Sequence, residues 1–152
     1  VASEFTKYTE QQYRDMLWTN LNGFFYITQP AVEAMLTQGS GHIVQITTTL
    51  VDHASSNVPS VLASLTKGGL AAATRSLAIE YASRNIRVNA VSPGIIKTPM
   101  HAPETHGALA ALHPMKRMGE VADVTQAVLY LEDAGFVTGE ILHVDGGQVA
   151  GA

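Results

Sequence analysis

Apolar residues recur along this chain in two rhythms that take turns. Thr9 to Gln12 has the capping-box pattern, with Thr at the cap and Gln three residues on. Tyr13, Met16, Leu17, Leu21, Phe24, Phe25 and Ala31 follow as the stripe of one long amphipathic helix, Glu10–Gln38, closed by Gly39. Pro30 lies inside it, removes one backbone donor and predicts a kink there. His42–Thr47 then carries Ile43, Val44 and Ile46 with no breaker, as suits a strand covered on both faces. After a loop, Pro59 and Ser60 mark a helix start, and Leu62, Leu65, Leu70, Leu77 and Tyr81 predict a helix over Pro59–Ser83. Gly68 and Gly69 inside it cost helix propensity and are expected to let another backbone come close. Ile86–Val91 reads as a second buried strand, broken by Ser92, Pro93 and Gly94. The stretch from Ile95 to Met118 reads as loop with one short helix near Gly107–Leu112. Glu120–Glu132 is a third helix, with Val121, Val124, Val128 and Leu131 inward, and Glu140–Val144 a third strand closed by Asp145, Gly146 and Gly147. Helix and strand alternate three times, which predicts an α/β fold: three parallel strands in chain order, helices on both faces.

Composition narrows the function classes. At 152 residues and 46% hydrophobic content, the chain has one domain's length and enough apolar matter for a core. It has no cysteine, so disulfides and thiolate chemistry are out. A formal charge of -4, with nine scattered Lys and Arg, argues against nucleic acid as a partner. No apolar run approaches the roughly 18 residues of a membrane span, and the N-terminus lacks a signal-peptide layout. The expectation is a cytoplasmic protein without a membrane partner. Gly39-Ser40-Gly41 leaves a helix and enters a strand, the reverse of the order a phosphate loop needs, so it reads as a turn. His101, His106 and His113 have no helical i, i+4 pair and no carboxylate cluster nearby, so no metal site is expected.

One lysine, Lys67, sits on the otherwise apolar first turns of the second helix, where it faces solvent or something polar or anionic. The block Gly41–Arg87 around it, the run Arg87–Met100 (RVNAVSPGIIKTPM) and the tail Val137–Gly147 (VTGEILHVDGG) together resemble the short-chain dehydrogenase/reductase family. That resemblance implies the C-terminal portion of a Rossmann-like doubly wound parallel sheet, residues 1–152 forming a single partial domain. The glycine-rich phosphate turn and the ribose-selecting residue fall outside it, since nothing before Thr9 supplies them. It further implies NAD or NADP as cofactor, a small-molecule alcohol or carbonyl substrate, and a homo-oligomer (dimer or tetramer) with Glu10–Gln38 and Pro59–Ser83 in the interface.

The resemblance also assigns roles. Lys67 matches the lysine that contacts the nicotinamide ribose and lowers the pKa of the family's acid. Asn20 matches a helix asparagine supporting a water relay. Thr48 matches a serine that holds the substrate oxygen, with Thr47 or Thr49 as alternatives. Pro93, Gly94, Ile96 and Thr98 match the loop that contacts the nicotinamide carboxamide. The family's proton-donating tyrosine falls at Ala63, which has no proton to give; His53 is the only nearby titrating group that could replace it. The expectation is therefore an oxidoreductase with an impaired or atypical acid. The alternative is a non-catalytic dinucleotide-binding or oligomer-forming homologue.

Overall fold

The computed structural model describes residues 2–151. The capping box forms as the sequence predicts: the Thr9 hydroxyl accepts from the Gln12 amide at 3.2 Å, and the Thr9 amide donates back to the Gln12 side chain at 2.9 Å. Helix α1 (Glu10–Leu17) and helix α2 (Gly23–Gln38) are joined without a loop by one π-helical turn, Trp18–Asn22. In that turn the Gly23 N–H reaches the Trp18 carbonyl, five residues back. The irregularity therefore lies at Trp18–Asn22 and not at Pro30, through which α2 runs on. Pro30 is exposed, where solvent can satisfy the carbonyl that its missing N–H frees. Gly39, at φ 82°, ends the helix in the left-handed region.

Strands β1 (Gly41–Ile46), β2 (Ile86–Pro93) and β3 (Ile141–Val144) form a parallel sheet in the order β1-β2-β3. Helix α3 (Val61–Tyr81) links β1 to β2, while α4 (His106–Ala111) and α5 (Val121–Asp133) lie between β2 and β3. Alternation along β2 divides the core. Ile86 and Val88 pack with Ala78 of α3 and with Met35 and Leu36 of α2 on one face. Val91 packs with Ala127 and Leu131 of α5 on the other. Helices thus cover both faces, as the alternation predicts. Strand β2 is nearly all buried, whereas β1 is only half-buried, because no strand pairs with its outer edge among the described residues.

Two inward assignments on α3 and α5 shift. Leu65 is 55% exposed, and the neighbouring Thr66 takes the buried position, as does Thr74 two turns on. Each threonine hydroxyl donates to the carbonyl four residues back at 2.8 Å, so it goes into the core with its hydrogen bond made. Val121 points outward from the first turn of α5, and Ala127 joins the core instead. Gly68 and Gly69 face side chains, Val51 and Leu21, and no other backbone. No helix among the described residues is long and apolar enough to cross a membrane.

Candidate functional site at the C-terminal ends of the strands

At the end of β1 the chain passes through three threonines with different fates. Thr47 is buried and its hydroxyl donates to the Val91 carbonyl at 3.2 Å. Thr49 is buried with its hydroxyl on the Gln148 side-chain oxygen at 3.3 Å. Thr48 stays half-buried; among the described residues its hydroxyl accepts only a long 3.4 Å bond from the Leu50 amide and donates to none. Thr48 lines a pocket with Leu50, His53, Ser55, Val58 and Leu112, floored by Gly94 and Ile95. Ser64 ties the pocket's rim to α3 by donating to the Leu50 carbonyl at 2.9 Å.

A second recess runs beside the free edge of β1, and Asn20 and Lys67 both line it. The Lys67 ammonium donates to the Ile46 carbonyl at 2.7 Å, two residues before Thr48. Partial burial pushes its pKa below the ordinary lysine value. Asn20 sits in the π turn, and its amide donates to the Thr66 hydroxyl at 2.9 Å, so it braces the residue beside Lys67 and makes no direct bond to the lysine. Ala63 lies one helical turn before Lys67. Lys67 and Thr48 thus meet at the end of β1 but line adjoining hollows.

The segment after β2 is held almost continuously. Gly94 donates to Val144 (3.0 Å), Ile95 to the His113 ring (3.0 Å), Gly119 to the Ile95 carbonyl (3.0 Å) and Lys97 to the Gly119 carbonyl (2.8 Å). Between these, the N–H and C=O of Ile96 have no partner among the described residues. Thr98 is half-buried with no partner for its hydroxyl among them. Sequence reasoning missed His113 and Gln148, which wall this segment in; single polar residues in a loop and a tail carry no pattern that reveals such contacts. His101, His106 and His113 do not converge: His106 bonds the His101 carbonyl at 3.0 Å and His113 turns to Ile95.

A parallel α/β sheet with polar groups gathered beyond the carboxyl ends of its strands has the layout of the doubly wound class, whose members bind ligands in that position. Residues 1–148 match the family model described as enoyl-(acyl carrier protein) reductase. The chain is 46% identical over 132 residues to carbonyl reductase family member 4 of Danio rerio, covering 87% of this chain and 54% of that protein. It is 39% identical over 149 residues to the 3-oxoacyl-(acyl-carrier-protein) reductase FabG of Aquifex aeolicus, covering 95% and 59%. Among solved structures, ElxO with NADP bound superposes with a TM-score of 0.91 at 29% identity, covering 99% of this chain and 64% of that one. The chain belongs to the short-chain dehydrogenase/reductase family. It spans between half and two thirds of the length of these relatives.

Proposed function

We propose that the whole protein is an NAD(P)-dependent oxidoreductase for a small alcohol or carbonyl substrate, with this chain supplying the nicotinamide and substrate side of the domain. The observation that carries the reading is Ile96. One free N–H and one free C=O, fixed between paired neighbours at the end of a buried strand, are the donor and acceptor that a carboxamide matches. Lys67 would hold the ribose hydroxyls and the Thr98 hydroxyl would add a bond beside Ile96, while Pro93 and Gly94 set the segment's path. Thr48 would donate to the substrate oxygen, and Asn20 would steady the α3 turn that carries Lys67. The cofactor, when bound, supplies the hydride chemistry that no side chain offers. On this reading the phosphate-binding turn belongs to the part of the domain that the chain does not span. A further parallel strand from that part would pair with β1.

Ala63 favours a second reading, binding without rapid turnover. Ala63, one turn before Lys67, has no proton to move, and His53, exposed on the rim of the Thr48 pocket, is the titrating residue among that pocket's lining. The test takes the whole protein, titrated with NADPH and NADH and then assayed on small ketones and 3-oxoacyl thioesters. Binding with slow turnover is expected, and Ala63→Tyr is expected to raise kcat by about 10² to 10⁴-fold, the usual worth of a positioned acid. Rapid turnover in the unaltered protein, lost in His53→Ala, would overturn the impaired-acid reading and make the histidine the donor.

A further inference from the structure

His113 is the most deeply buried histidine of the described residues, 2% exposed, and both ring nitrogens are engaged. Nε2 accepts the Ile95 N–H at 3.0 Å, so it carries no proton. Nδ1 lies 3.2 Å from the Leu109 carbonyl in α4, so it carries the proton and donates. The ring therefore sits as one neutral tautomer. A Cβ added at Gly94 would lie 2.9 Å from Nε2, and one added at Gly146 would lie 3.3 Å from the His113 Cβ, so the ring fills the space between the segment after β2 and the turn after β3. Its backbone closes the same corner, with the His113 N–H on the Ala110 carbonyl (3.1 Å) and the Lys116 N–H on the His113 carbonyl (2.9 Å). We infer that His113 is a positioning residue. It locks the Pro93–Ile96 segment to α4, and so holds the free Ile96 amide and carbonyl in place while fixing Leu112, the adjoining residue, as a wall of the Thr48 pocket. A ligand bound at Ile96 and one bound against Leu112 are thereby held in register through a single ring.

The inference rests on the dinucleotide reading for the ligand at Ile96, and its test separates the two. In the whole protein, the ¹⁵N shifts of the His113 imidazole report the tautomer, and amide exchange at Ile95 reports the bond to it. NADPH affinity is measured in parallel for His113→Gln, whose side-chain oxygen can still accept the Ile95 N–H, and for His113→Leu, which cannot. The expected results are a proton on Nδ1, slow Ile95 exchange that speeds at least tenfold in the leucine variant, and NADPH binding weakened about tenfold by leucine but restored by glutamine to within about threefold, the loss typical of one buried amide left unpaired. Equal NADPH affinity in the leucine variant and the unaltered protein, or a proton on Nε2, overturns the inference. Should the unaltered protein bind no NADPH, the dinucleotide reading falls. The tautomer and the Ile95 exchange then decide the positioning role alone.

Discussion

Gly94 has no room for a side chain. A Cβ there would stand 2.8 Å from the Gln148 side-chain oxygen and 3.0 Å from the Asp145 backbone as well as meeting His113. Gly94→Ala is expected to cost about 1–3 kcal/mol, the usual penalty of overpacking, read as a lower urea midpoint at unchanged slope. A midpoint within error of the unaltered protein would mean that the corner is loose. The resemblance marks Gly94 only as part of a cofactor-contacting loop. That the chain's own groups crowd it is not legible in the sequence, because His113 and Gln148 are distant from it. The same blindness affects the three threonines: identical as letters, they differ only in what each hydroxyl finds, Val91, Gln148 or open pocket.

Elements were legible where their rhythm was strong, and their ends where a cap was written locally, as at Thr9 and Gly39. What holds α5 to the sheet was not. Its last carbonyls lack helical partners, and Arg87 on β2 supplies them. One guanidinium nitrogen donates to Leu131 (2.7 Å), Ala134 (3.2 Å) and Val137 (3.3 Å), and the other to Glu132 (2.8 Å). The cation also sits at the negative end of the helix dipole. Beneath it Asn89, wholly buried, donates to the Val137 carbonyl at 2.9 Å and accepts from the Glu140 amide at 3.0 Å, so one side chain joins the segment after α5 to the start of β3. In sequence Arg87 counts as one of the scattered basic residues, since its partners lie more than 40 positions away. Arg87→Met, which keeps the stem and removes the donors, is expected to destabilise the protein by about 2–3 kcal/mol. Denaturant unfolding checks this, and a cost below about 0.5 kcal/mol, the range of an ordinary surface change, would show the carbonyls to be served by water.

At the scale of the whole molecule, the π turn, α2 and α3 leave several large apolar side chains exposed. Trp18, Phe25 and Tyr26 from the π turn and α2 are each more than half exposed, with Tyr26 tilted against Trp18 and edge-on to Phe25, and Leu65 and Ile79 project from α3 at 55% and 80% exposure. The resemblance implies a homo-oligomer with these helices in its interface, and on that expectation these exposed side chains would be covered by a second copy. Sedimentation is expected to show a dimer or larger, and Phe25→Glu with Ile79→Lys to shift it to monomer without loss of helix signal. A folded, dilute monomer of the unaltered protein would count against the assignment. The π turn at Trp18–Asn22 gives this surface an unexpected sensitivity. It amounts to one residue more than a regular helix would use over the same rise, and each residue is worth about 100° of rotation. Thr28 and Val32 reach the core, and Phe25 and Tyr26 reach the outside, only in the phase which that extra residue sets. Substitutions in these helices act where they fall. A residue added between Tyr13 and Gly23 would turn α2 by about 100°, enough to carry Thr28 and Val32 off the core. The segment is bound in count as well as in letters such as Asn20.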